Sequence, residues 1–142
     1  MTTPPEGYEL REGPPPIDQY LGLRERSGLS PRTREQAEAG IDGAWYAVHV
    51  VHTATGEATA MGRVLGDGGW YFHIIDMAVL PEHQRRGLGN VVLTALLERI
   101  QRVAPPGAYI NLLADEPGRV LYRRHGFVDS APVSVGMVQV QA

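Results

Sequence analysis

The chain contains no cysteine and no lysine. The first absence excludes disulfides, thiolate zinc sites and a cysteine nucleophile. The second excludes a phosphate-binding loop that ends in Gly-Lys-Ser/Thr and leaves all thirteen basic residues as arginine. That usage reads as a compositional bias, and it leaves the protein no lysine of its own to acetylate. No run of roughly eighteen apolar residues occurs, so no segment is expected to span a membrane. Residues 1–10 are polar and proline-bearing without an apolar stretch, which is not a secretion signal, and the expected location is cytoplasmic. A net charge of -3 offers no basic footprint for nucleic acid or an anionic membrane. No His-x-x-x-His pair or carboxylate cluster stands at ligand spacing, so no metal is expected.

What is present is ordinary globular composition. With 142 residues, 43% hydrophobic and 20% charged, the chain suits one domain, residues 1–142, around one core. Residues 8–11 suggest a short strand, stopped by Gly13-Pro14-Pro15-Pro16. Ile17, Tyr20, Leu21 and Leu23 fall at helical spacing over 17–26, with Gly28 closing the helix. Ser30-Pro31 suggests the cap and first turn of a second, polar helix over 32–39, lying on the surface or forming a lid. Three strands follow, at 45–52, 58–65 and 70–79, rich in β-branched and aromatic residues. Thr55-Gly56 and Gly66-Asp67-Gly68-Gly69 turn them into a meander. His49 and His52 read as solvent-edge residues there. An amphipathic helix is expected over 90–102, a buried strand over 109–114 and a helix over 116–125 with Gly126 after it. Phe127-Val128 and residues 133–140 read as the last strands. The order is β-α-α-β-β-β-α-β-α-β, an α/β fold on a mixed sheet.

Gln84-Arg85-Arg86-Gly87-Leu88-Gly89-Asn90 lies between a strand and an amphipathic helix. The first turn of a helix carries N–H groups without partners and the positive end of its dipole. Glycines let the backbone approach a phosphate there, and Arg85 and Arg86 add charge. The segment describes a pyrophosphate cradle. A dinucleotide-type G-x-G-x-x-G would need glycine where Val92 stands. The bland alternative is a tight strand-to-helix turn.

The segment from Asp76 to Gly89, Asp-Met-Ala-Val-Leu-Pro-Glu-His-Gln-Arg-Arg-Gly-Leu-Gly, resembles the acetyl-CoA signature of the GNAT superfamily of N-acetyltransferases. A second stretch, Leu121-Tyr122-Arg123-Arg124-His125-Gly126-Phe127, is similar to the family's late tyrosine and glycine-phenylalanine segment. The element order fits the family from about residue 45 to residue 140. The resemblance implies a mixed, mostly antiparallel central sheet flanked by about four helices. It implies acetyl-CoA as donor, with coenzyme A as product. Gln84, Arg85, Arg86, Gly87, Leu88, Gly89 and Asn90 would hold the pyrophosphate, largely through backbone amides. Met77, Ala78 and Val79 would present strand backbone to pantetheine and the thioester carbonyl, where an N–H stabilises an oxyanion.

Aminolysis of a thioester needs a neutral amine and a protonated leaving sulfur. A free alkylamine titrates at about 10, so a base or a water chain must help, while the departing thiol titrates at about 8.5. Tyr122 occupies the family's position for the acid; the alternative is a packing tyrosine. Asp76 is an acid in an apolar strand, where an unpaired carboxylate is costly. It is a candidate acceptor-side base or a structural hydrogen-bonding residue. His73 is the other candidate base, facing away from Asp76 in a regular strand unless a bulge intervenes. Arg123 and Arg124 suit either the 3′-phosphate of CoA or an exposed helix face. No serine lies in a nucleophile elbow, so transfer is expected to be direct.

The expected function is transfer of an acetyl group from acetyl-CoA to a primary amine, with a small-molecule acceptor preferred. A protein or peptide N-acetyltransferase is the alternative enzyme, and a non-catalytic acyl-CoA sensor is the alternative outside catalysis. A homodimer through the last strand is compatible with the pattern, though nothing in the sequence forces it.

Overall fold

A computed structural model describes residues 2–142. The strands are β1 (Tyr8–Glu12), β2 (Tyr46–His52), β3 (Glu57–Gly66), β4 (Tyr71–Val79) and β5 (Tyr109–Leu112). The helices are α1 (Ile17–Arg26), α2 (Arg34–Gly40), α3 (Leu88–Val103) and α4 (Arg119–Arg124). Strands β1 to β4 form an antiparallel meander, and β5 adds in parallel to β4. The mixed, mostly antiparallel sheet flanked by helices is therefore as the sequence implies.

The two sheet faces carry separate cores. Val48, Val50, Val64, Phe72 and Ile74 meet Leu88, Val92, Leu96 and Ile100 of α3 on one face. Met61, Ala58 and Ala78 meet Tyr20 and Leu23 of α1 and Ala37 of α2 on the other. The amphipathic spacing read from α3 is what buries its apolar stripe. The turn between β3 and β4 closes as expected. Asp67 Oδ1 accepts from the backbone N–H groups of Gly69, Trp70 and Tyr71, which lowers the Asp67 pKa.

Four expectations need correction. The second helix begins at Arg34, not 32, because Thr33 and Gln36 form a reciprocal capping box that Ser30-Pro31 cannot match. His49 is 8% exposed, with Nδ1 2.8 Å from the Gly13 carbonyl, because β1 covers it as the edge strand. The strands expected at 127–128 and 133–140 do not form. Residues 133–140 leave the outer edge of β5 unpaired, and Val133 and Met137 stand 96% and 91% exposed. The final helix is also shorter than expected, with its first turn (Glu116–Gly118) wound as 3-10.

The feature that positions the site is a bulge in β4. Register runs Arg63↔Ile75 and then Met61↔Ala78, so Asp76 and Met77 together oppose Gly62. Asp76 takes φ 60, a left-handed conformation that aspartate tolerates better than branched residues. The extra residue switches strand parity. His73 and Ile75 share a face before the bulge, and Asp76 and Ala78 share that same face after it. The opposite orientation expected for His73 and Asp76 in a regular strand is thereby removed.

Candidate active site

Pairing between β4 and β5 ends at Ile74↔Leu112. Beyond it the strands part, and residues 75–79 of β4 remain paired only to β3. A cavity of about 1030 Å³ opens in the gap. One end is lined by Val79, Gln84 and Gly89, the far wall by Leu113, Asp115, Gly118 and Tyr122, and the other end by Tyr20, Arg24, Arg32 and Arg63. Its size suits a small-molecule site.

The first end is the cradle. Gly87 is the N-cap of α3 at φ 79, and no side chain caps the helix start. The amides of Leu88, Gly89 and Asn90 are left for an outside acceptor. Arg85 also has positive φ, at 62, so the backbone folds back over 85–87. Leu88 itself is core, 1% exposed, and anchors the loop. Arg86 donates to the Tyr8 hydroxyl at 3.0 Å, which in turn donates to His83 Nδ1 at 2.7 Å. His83 therefore carries its proton on Nε2. Burial first, then His52 and Arg86, lower its pKa. Asn90 Oδ1 lies 2.6 Å from His125 Nε2, tying α3 to the end of α4. These residues fit a pyrophosphate: an uncapped helix start, a left-handed glycine and two exposed arginines.

The side chains of Gln84 and the end of β4 are engaged within the protein. The Gln84 side chain donates to the Val79 carbonyl at 3.2 Å, closing the strand end. Met77 packs toward α3, and Ala78 is buried under α1. Their backbone, with that of Val79, lines the gap.

The other end is a buried charge cluster. The Asp76 side chain is 5% exposed, and both oxygens are engaged. Arg24 Nη1 reaches Oδ1 at 2.5 Å, and Arg63 Nε and the Tyr20 hydroxyl reach Oδ2 at 2.8 Å and 2.7 Å. Arg24 also donates to the Ser30 carbonyl through Nε and Nη2. Burial first, and then Asp76, raise the Tyr20 pKa, with the arginines opposing. A carboxylate held by two guanidinium groups and a phenol has little capacity left for an amine proton.

His73 lines the same cavity. Its Nδ1 is 2.5 Å from Asn111 Oδ1, while Asn111 Nδ2 donates to the Phe72 carbonyl at 3.2 Å. The second bond orients the amide, so Oδ1 accepts from His73 Nδ1–H and Nε2 keeps the lone pair. On the far wall the Tyr122 hydroxyl has no hydrogen-bond partner among the described residues. Burial first, then Asp115, raise its pKa, so it stays protonated at neutral pH. Its ring meets Phe127 edge-on at 6.0 Å. Arg123 is engaged by Asp129 at 3.0 Å.

Tyr8, Tyr20, Arg24, Arg63, Asn111 and Gly118 were not singled out from sequence. Two carried a signal of the same kind as Asp76. Arg63 is a charge inside an apolar strand, and Arg24 sits four residues after Tyr20, on the apolar stripe of α1.

Residues 44–129 match the acetyltransferase (GNAT) domain family. No curated protein matches the chain in sequence. A protein of unknown function from meticillin-resistant Staphylococcus aureus, described as a probable acetyltransferase, is similar at 34% identity and TM-score 0.89, over 94% of this chain and 99% of that one. Glucosamine-6-phosphate N-acetyltransferase from Arabidopsis thaliana shares the fold at 19% identity and TM-score 0.68, over 95% and 99%. The ribosomal-protein-S18-alanine N-acetyltransferase of Escherichia coli shares it at 16% and 0.71, over 87% and 79%. With the parted strands, the cradle and the matched domain together, the chain belongs to the GNAT family of acetyltransferases.

Proposed function

We propose that the protein moves an acetyl group directly from acetyl-CoA to a primary amine on a small molecule. The observation that carries this reading is the gap between β4 and β5, with the uncapped start of α3 at one end and the unpartnered Tyr122 hydroxyl across it. The fold alone leaves the acceptor open, since the two distant relatives act on a sugar phosphate and on a protein alanine. The buried charge cluster at the acceptor end favours a small molecule.

Acetyl-CoA supplies the activated thioester. The amides at the start of α3, with Arg85 and Arg86, hold the pyrophosphate, and β4 backbone orients the thioester carbonyl. His73 Nε2 takes the amine proton, directly or through water, while Asp76 fixes the two arginines. Tyr122 donates a hydrogen bond to the departing thiolate. Its pKa lies above its ordinary value near 10, higher than a thiol's at about 8.5, so complete transfer is uphill. The hydroxyl therefore stabilises the thiolate, and the final proton comes from the released amine proton through solvent.

The test begins with CoA-thiol release against alkylamines, arylalkylamines, polyamines, amino acids and peptides. Gly87→Glu then sets a carboxylate against the pyrophosphate at a position with open space around its Cβ. Acetyl-CoA affinity by calorimetry is expected to fall at least tenfold, about 1.4 kcal/mol. Wild-type affinity in a folded variant would remove the cradle from the reading.

A further inference from the structure

The acceptor end of the cleft holds more positive charge than its own carboxylate neutralises. Arg24, Arg32 and Arg63 line it against the single carboxylate of Asp76, in a chain whose net charge is -3. Two of the three arginines are buried, with side chains 8% and 9% exposed. Arg24 is nearly saturated by Asp76 and Ser30. Arg63 is not. Its Nε bonds Asp76 at 2.8 Å, and its Nη1 bonds the Gly40 carbonyl at 2.8 Å. Its Nη2 has no partner among the described residues. The Tyr20 ring under the guanidinium, 5.6 Å from its carbon, fixes the plane. The protein thus buries a guanidinium beside the cleft and leaves one of its forks unused. Among the described residues no side-chain nitrogen or oxygen is both buried and unpartnered, so this Nη2 reaches the open cleft that Arg63 lines, where an acceptor atom of a ligand can replace water.

Resting on the acetyltransfer reading, we infer that the amine acceptor carries an anionic group, a carboxylate or a phosphate, which the Nη2 fork of Arg63 binds. The charge has a second consequence. An alkylammonium entering alone is disfavoured beside arginines that Asp76 does not fully neutralise. The anionic group offsets the repulsion that an otherwise bare cation would meet on entry.

The test uses matched pairs of amines in the CoA-release assay on the intact protein: 2-aminoethyl phosphate against ethanolamine, and β-alanine against β-alaninamide. The expected kcat/KM is about tenfold higher for the anionic member of at least one pair, the size of a charge-assisted hydrogen bond. Arg63→Lys keeps the charge and removes the fork, so the ratio should shrink. Because both members are read on one preparation, a reduced folded fraction cancels. Should the variant not fold, the wild-type ratio still decides. Equal or inverted ratios in both pairs overturn the inference and leave acetyl transfer standing. If no amine releases CoA, the acetyltransfer reading falls instead. Calorimetric binding of 2-aminoethyl phosphate, weakened by Arg63→Lys, would then still support the anion site. Absence of that binding overturns it as well.

Discussion

The two ends of the cleft solve recognition by opposite means. At the cradle, Arg85 and Arg86 are exposed, Gly87 is left-handed, and the groups on offer are backbone amides. At the acceptor end, Arg24, Arg63 and Asp76 are at most 9% exposed in their side chains and hold one another through ion pairs. A backbone cradle needs no charge removed from water before ligand arrives. A buried cluster does, and each member depends on the others. Damage to the two ends should therefore appear in different measurements, affinity in the first case and stability in the second.

The largest expected effect breaks the buried end. Asp76→Asn keeps the size of the side chain but leaves two buried arginines facing a neutral amide. Breaking such a pair costs about 3–5 kcal/mol, against a total of about 5–15 kcal/mol for a domain. Urea denaturation should show this as a large drop in midpoint. Gly87→Glu, at the cradle, should cost only the strain of positive φ, about 1–2 kcal/mol. Equal losses in the two variants would mean that the cluster is no more structural than the loop.

The same contrast explains what could be read from the sequence. The cradle is contiguous, and its chemistry needs glycines at fixed places, so residues 84–90 declare it. The α1 boundaries and the helix stripe of α3 were equally legible because 3.6-residue periodicity is local. Asp76 drew attention as a lone acid in an apolar strand, but its partners lie 56, 52 and 13 positions away. Nothing local links them. The bulge that turns Asp76 toward His73 depends on register against β3, which a single strand does not record. The strands expected at 133–140 fail in the same way: alternation is local, whereas pairing with the open edge of β5 is not. At α2, Pro31 is a good first-turn residue, yet Thr33 and Gln36 make the better cap.

Between the two ends stands Tyr122, and its removal sharpens the comparison. Tyr122→Phe deletes a hydroxyl that bonds nothing among the described residues, so stability should hardly change. A hydrogen bond to a charged group is worth about 1.5–3 kcal/mol, so losing the one to the departing thiolate should lower kcat by about 10- to 100-fold. Acetyl-CoA affinity by calorimetry should hold, because the cradle supplies it. Intact turnover would make Tyr122 a packing residue against Phe127. A collapse of affinity would assign it to the cradle instead.

The smallest effect tests how Tyr122 is aimed. A Cβ added to Gly118 would lie 2.8 Å from Cε2 and 3.1 Å from both Cζ and the hydroxyl oxygen of Tyr122. The first distance is below van der Waals contact, so the tip of the ring must move. The backbone at Gly118 is in the right-handed helical region, φ -89 and ψ -11, so alanine adds no strain of its own. Placed just before α4, it should even stabilise slightly, since alanine has less conformational freedom to lose than glycine. Gly118→Ala is thus expected to leave the melting temperature unchanged or raised while kcat falls about three- to tenfold, a displacement of tenths of an ångström costing less than a full misplacement. The double variant with Tyr122→Phe decides the route. If Gly118 acts by aiming the hydroxyl, the double variant is no slower than Tyr122→Phe alone, because the aimed group is already gone. Additive losses would show that the alanine disturbs the cleft by another path and that Gly118 has no positioning role.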